Sequence, residues 1–217
     1  MNIEQARFNM IEQQIRPWEV LDQRVLDLMS EVPREEFVPT AYRQFAFADI
    51  SIPLAHDQVM MAPKIEGRLL QTLMLQPSDT VLEIGTGSGY FTALLAKLAR
   101  HVDSVDVFEG LLGKAETKLN ALNIKNISLN VGDAANGWNT DMRYDVIVFT
   151  GSMPVLKSHF REQLNEGGCL FAIVGKEPVM QAQLINRMGE NEFETAVLFE
   201  TSLPPLLDSS ESEPFVL

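Results

Sequence analysis

An α/β fold, with a mainly parallel sheet covered by helices on both faces, is what this 217-residue chain predicts. Three observations lead there. From residue 81 onward, short apolar strands alternate with amphipathic helices, the pattern of a sheet buried on both faces. Residues 81–89, Val-Leu-Glu-Ile-Gly-Thr-Gly-Ser-Gly, run an apolar strand straight into glycines at every second position, just before a helix. Near the end, segments 183–188 and 193–200 flank Gly189-Glu-Asn191 and read as an antiparallel hairpin.

Taken in order, residues 1–45 read mostly as helix. Phe8, Ile11 and Ile15, then Val25, Leu26, Leu28 and Met29, recur at helical spacing, and Pro17 separates the two runs. Residues 46–63 read as irregular, punctuated by Pro53 and Pro63. Ile65, Leu69, Leu70 and Leu73 restore helical periodicity over 64–75, and Pro77-Ser-Asp79 forms a turn into the first strand, 81–84. The succession then runs helix 90–99, strand 102–108, helix 111–122, strands 127–131 and 144–149, helix 155–164 and strand 170–174. One domain is expected: N-terminal helices and a loop over 1–63, a core over 64–207, and an acidic tail over 208–217.

Composition narrows the function classes. A 46% hydrophobic content predicts a packed globule. A formal charge of −13 disfavours non-specific binding to nucleic acid or to an anionic membrane surface. The single cysteine, Cys169, excludes an intrachain disulfide and suits a reducing compartment. Following Gly167-Gly168 and opening an apolar strand, it reads as a buried, inert thiol. The first residues carry no basic-then-apolar leader, and no run approaches the ~20 apolar residues of a membrane span. The expected location is the cytoplasm, with no membrane or nucleic-acid partner and no metal site.

The glycine turn is the centre of the chemistry. Gly85, Gly87 and Gly89 allow backbone conformations closed to other residues, and the helix behind them offers unpaired N–H groups and a partial positive charge. Two cofactor classes compete for such a turn. A nicotinamide-binding turn places its third glycine three positions after the second; here the interval is two, and Glu83 sits within the strand. Asp106 lies about 20 residues on, where an acid can accept hydrogen bonds from ribose hydroxyls. Asp133 and Ala134 follow the third strand at the same sheet edge, within reach of a purine, and Thr150-Gly151 stands at the mouth of the strand that begins Tyr144-Asp145. Taken alone, Asp133 is a common turn acid and Asp145 is structural.

Together these features resemble the class I S-adenosylmethionine-dependent methyltransferases. The resemblance narrows to the protein-L-isoaspartate O-methyltransferase family through Val32-Pro-Arg-Glu-Glu-Phe-Val38, Glu83-Ile-Gly-Thr-Gly-Ser-Gly-Tyr90, Val131-Gly-Asp133 and Leu164-Asn-Glu-Gly-Gly168. It implies a Rossmann-like, seven-stranded sheet with added N-terminal helices. It also implies S-adenosyl-L-methionine as cofactor, with contacts from Glu83, Gly85, Thr86, Gly87, Gly89, Asp106, Asp133, Ala134 and Thr150. The implied reaction is methylation of isoaspartyl carboxylates in damaged proteins.

The chain departs from the family in the substrate loop, which there reads approximately Asp-x-Pro-Leu-Pro-Ile-Gly-x-Gly-Gln-Thr-Ile-Ser-x-Pro. Here residues 49–63 read Asp-Ile-Ser-Ile-Pro-Leu-Ala-His-Asp-Gln-Val-Met-Met-Ala-Pro. Asp49, Pro53, Gln58 and Pro63 keep their places beside Leu54. Ala55 and Asp57 replace glycines, Val59 a threonine, and Met61 the serine usually given the active-site role. No catalytic residue is therefore assigned. His56 is a candidate donor or cation and otherwise an exposed loop residue; Met60 and Met61 fill space or line a reshaped site. Arg16-Pro-Trp18 reads as a helix break with a packed tryptophan, and Arg34 as an ion-pair partner. A small-molecule or other protein acceptor, and a non-catalytic cofactor-binding protein, stay open as alternatives. A nicotinamide oxidoreductase is disfavoured by the glycine spacing.

Overall fold

The computed structural model describes residues 2–207 apart from Asn136 and Thr140; the acidic tail lies outside the described residues. Helix α1 (Ile3–Met10), capped by Asn2, passes into a π-turn over Ile11–Ile15 and a 3-10 turn over Arg16–Trp18. Pro17 supplies no amide hydrogen, and the chain leaves through Glu19 at φ 60°. Trp18 packs edge-on against Phe199 and lies under the Lys64 ammonium, the anchoring expected of it. Helices α2 (Gln23–Glu31) and α3 (Arg34–Phe37) follow.

Residues 46–63 are more ordered than their prolines suggest. Strands β1 (Ile52–Pro53) and β2 (Val59–Met60) pair antiparallel, Ile52 with Met60 and Pro53 with Val59. The turn between them holds His56 at φ 59° and Asp57 at φ 56°, closed by the Gln58 amide donating to the Ala55 carbonyl at 3.3 Å. Two successive left-handed residues make a type I′ hairpin turn, and His and Asp are among the side chains that tolerate that region. Helix α4 (Pro63–Leu73) leads from this hairpin into the main sheet.

That sheet has seven strands in the order β5-β4-β3-β6-β7-β8-β9. Its elements are β3 (Thr80–Ile84), α5 (Tyr90–Leu98), β4 (His101–Asp106), α6 (Glu109–Ala121), β5 (Ile127–Val131), β6 (Tyr144–Met153), α7 (His159–Glu162), β7 (Leu164–Lys176), β8 (Val179–Arg187) and β9 (Phe193–Thr201). The pairs β5–β4, β4–β3, β3–β6 and β6–β7 are parallel, while β7–β8 and β8–β9 are antiparallel. The order reverses between β3 and β6, which opens a crevice at their carboxyl ends. Leu82, Val102, Ile147, Val148 and Phe171 are fully buried, so both faces of the centre are covered.

Two expected segments differ. The helix over 155–164 shrinks to α7, because β6 continues to Met153, where Ser152 bridges Pro205 and Val155 stays exposed. Strand β7 begins at Leu164 rather than 170, since Leu164 already pairs with Tyr144. Asp145 is structural as read: it accepts hydrogen bonds from Thr80 N and Oγ1 and from Asn165. Burial works to raise its pKa, but those hydrogen bonds and the Arg100 charge outweigh it and hold the carboxyl low. Burial pushes the Cys169 thiol up to about 12, as suits an inert side chain.

Candidate active site

The site grows from the end of β3. The Gly85 amide donates to the Val105 carbonyl at 2.8 Å and Gly89 N–H to Thr86 O at 2.9 Å, so the turn is tied to β4 and to itself. All three glycines have positive φ, at 103°, 52° and 83°. A side chain at Gly85 would overlap Thr150 Oγ1, which itself donates to Gly85 O at 2.5 Å and Ile84 O at 3.0 Å. Gly87 lies against Leu54 of the hairpin. Gly89 serves helix packing instead. A Cβ there would come 2.8 Å from the Ala115 Cβ, so its absence lets α5 pack on α6.

Asp106 completes the turn. Its Oδ2 accepts from Gly87 N at 2.8 Å and its Oδ1 from Phe108 N at 2.9 Å. The carboxylate thus shapes the glycine turn as well as lining the cleft. Glu83 is fully buried and lines no part of the cleft. It accepts from Thr92 Oγ1 at 2.5 Å and Ser104 Oγ at 2.6 Å, and Ser104 Oγ lies 2.6 Å from Thr86 Oγ1. Glu83 therefore supports the turn from beneath. Burial, reinforced by the Asp106 charge and opposed by the two hydroxyls, raises its carboxyl to about 8.

Two adjoining hollows open above the turn, with about 550 and 410 Å³ of open space. Gly85, Asp106, Gln58 and Leu206 belong to both, which makes them one cleft. One end is walled by Phe108, Asp133, Ala134 and Ala135; Asp133 Oδ1 also caps the Ala135 amide at 2.8 Å. The other is walled by Thr86, Gly87, Thr150, Met60, Met61, Glu66 and Phe91. Among the described residues, no Lys, Arg or His lines either end.

The hairpin forms the roof. Leu54 sits on Gly87, Gln58 and Val59 line the cleft, and the His56 ring stacks on Phe108 at 4.1 Å with only 2° between planes. His56 is an exposed loop residue, as read, with its ring stacked on Phe108. Asp49 lies outside the cleft and pairs with Lys64 at 2.7 Å. Met61 is 3% exposed, and its carbonyl accepts from the buried Arg34 at 2.6 Å.

Sequence reading missed Phe108, Glu66 and the contribution of residues 203–207. Those last residues return to the cleft because Ser152 N donates to Pro204 O at 3.0 Å, Leu206 N to Ser152 O at 2.9 Å, and Ser152 Oγ to Leu203 O at 2.8 Å. Gly151 makes room for Leu206, whose Cδ2 would lie 2.8 Å from a Cβ there. The small residue after Thr150 was the one available signal, and it names no partner.

The residues present fit an adenosyl cofactor: a cradle that a Cβ would fill, an acid at the end of β4 beside it, and an acid-lined cleft with no basic side chain among the described residues, which suits a sulfonium cation. Two solved structures are similar in fold. One, a protein-L-isoaspartate O-methyltransferase, superposes at a TM-score of 0.79 with 22% identity, covering 92% of this chain and 65% of the other. The second, a putative protein-L-isoaspartate O-methyltransferase from Plasmodium falciparum in complex with S-adenosyl-L-homocysteine, superposes at 0.78 with 18% identity, covering 95% and 98%. The model of the protein-L-isoaspartate(D-aspartate) O-methyltransferase family matches residues 5–211. With nearly its whole length matched and its cleft built around the glycine turn, the chain belongs to that family of S-adenosylmethionine-dependent methyltransferases.

Proposed function

We propose that the chain methylates the carboxylate of isoaspartyl residues in damaged proteins in the cytoplasm, with residues 64–207 as cofactor core and 1–63 as acceptor side. The observation that carries this reading is the placement of the acceptor hairpin directly over the glycine turn, with Leu54 on Gly87 and Met61 in the same hollow as Gly87. Asp106 would hold the ribose, Asp133 and Ala134 the purine edge, and Gly85, Thr86, Gly87 and Thr150 the amino-acid end. Glu83 and Gly89 would act through the shape of the turn. S-adenosylmethionine, when bound, supplies an electrophilic methyl group.

An acceptor carboxylate is ionised at neutral pH and needs no general base. The protein's work is alignment and exclusion of water. Met61 offers no hydroxyl, so the neutral side-chain donors lining that hollow are the Gln58 amide and the hydroxyls of Thr86, Ser88 and Thr150, of which Thr86 is engaged with Ser104 and Thr150 with Gly85 O.

The absence of any basic lining residue among the described residues, beside Glu66 and Asp106, favours a second reading in which the acceptor is a neutral small molecule or another protein group. The −13 charge supports an acceptor other than nucleic acid. No helix among the described residues is long and apolar enough to cross a membrane.

Incubation with labelled S-adenosylmethionine and an isoaspartyl peptide, against its aspartyl twin, tests the first reading. Methyl ester formed only on the isoaspartyl peptide supports it. No ester from a chain that still binds S-adenosylhomocysteine would leave the second reading. The combined variant Asp57→Gly, Val59→Thr, Met61→Ser is expected to raise kcat/KM for the isoaspartyl peptide at least tenfold. Each restored hydrogen bond is worth roughly 1–3 kcal/mol where a polar group was left unpaired, and glycine relieves the left-handed turn at Asp57. An unchanged kcat/KM would show that these side chains do not limit the reaction.

A further inference from the structure

We propose that Glu66 is a positioning residue which, through Arg34, holds the acceptor loop at its working height above the glycine turn. Arg34 is fully buried on α3, and each of its three donor groups is engaged. Nε donates to Ala46 O at 2.9 Å, Nη2 to Met61 O at 2.6 Å, and Nη1 to the Glu66 carboxylate. The guanidinium also lies 4.8 Å over the Tyr90 ring, and Tyr90 directly follows Gly89. One buried cation therefore ties together the loop after β2, helix α4 and the start of α5.

The weak point of this arrangement is Met61. Strand β2 ends at Met60 and helix α4 begins at Pro63, so Met61 belongs to neither ladder nor helix. The Arg34 bond ties its carbonyl to the core. Its side chain lines the same hollow as Gly87, so movement there alters the space between acceptor and cofactor.

Arg34 keeps its place only while its charge is balanced. Glu66, 1% exposed, is the carboxylate paired with it, and the phenol of Tyr90 is the other titratable group against it. A guanidinium left buried without its counter-charge is strongly disfavoured and turns toward water or another acid. The carbonyls of Met61 and Ala46 are then released together.

The kinetic part of this proposal rests on the isoaspartyl reading; the structural part does not. Glu66→Gln keeps the side-chain size and removes the charge. Amide hydrogen exchange over residues 52–61 is expected to quicken about tenfold or more, the loss of one charge-assisted hydrogen bond. Strands β3 and β6 should keep their protection. KM for the isoaspartyl peptide should rise about tenfold. S-adenosylhomocysteine affinity should fall less than the acceptor's, because the glycine turn and Asp106 stay in place.

Arg34→Lys keeps the charge but cannot reach three acceptors at once, and it should free the same loop. Wild-type exchange over 52–61 in a folded Glu66→Gln chain would overturn the proposal. So would global loss of protection in both variants, which would make the pair a fold element alone. If the wild type fails to methylate isoaspartyl peptides, the substrate reading falls while the exchange measurement still judges Glu66.

Discussion

Gly85→Ala is expected to weaken S-adenosylhomocysteine binding by about 100-fold, measured by titration calorimetry. Residue 85 has φ 103°, a conformation that costs a non-glycine residue on the order of 1–3 kcal/mol. The added methyl group would also overlap Thr150 Oγ1. Moving Thr150 breaks its single O–H donation, shared between Gly85 O and Ile84 O, about 0.5–1.5 kcal/mol. Both costs lower the stability of the fold, and relieving them displaces the wall shared by the two halves of the cleft, so binding falls as well. Gly113→Ala on α6 is the control, since a Cβ there meets nothing within 4 Å. It should leave binding unchanged and stabilise the helix by up to about 1 kcal/mol. Equal affinities for the wild type and Gly85→Ala would remove the glycine turn from the cofactor site.

The second large effect is a pH dependence of stability carried by Glu83. Its folded pKa, raised from 4.5 to about 8, means that the native state holds a proton the unfolded chain has already lost. Below about pH 4.5 both states are protonated and Glu83 contributes no slope. Between about 4.5 and 8 the native state binds more protons, so stability falls as pH rises, by up to about 1.4 kcal/mol per pH unit. The comparison is therefore wild type minus Glu83→Gln, by urea denaturation at pH 5, 6.5 and 8. The wild type should lose ground to the variant at each step. Parallel curves would mean that Glu83 is ionised in the folded protein. The geometry argues against that: Oε1 is buried without a hydrogen-bond partner, and among the described residues Glu83 makes no ion pair.

Much of the architecture was legible in the residues. The alternation of apolar strands and helices from Val81 onward is a periodicity, and periodicity is local. The parallel order through β7 and the terminal hairpin follow from it. The glycine turn was legible for the same reason, because Gly85, Gly87 and Gly89 declare a backbone requirement without naming a distant partner. Asp145 and Arg34 read as structural from the residues, and both are. The extent of β6 was not legible: it runs on because Ser152 and Met153 pair with Ile173 and Val174 of β7 after a register shift, and Ser152 also bridges Pro205, contacts between residues apart in the chain.

The chain by itself determined the sheet, the glycine turn and the acid at 106, hence the methyl donor, since each rests on short-range patterns with a physical requirement behind them. Only the tertiary structure decided that Glu83 works from beneath the turn, that His56 stacks on Phe108, that Pro204 and Leu206 line the cleft, and that Glu66 pairs with the Arg34 that holds the Met61 carbonyl. Those are pairings of side chains whose types fit many partners. Which partner each one meets depends on where the sheet and its crossovers carry it.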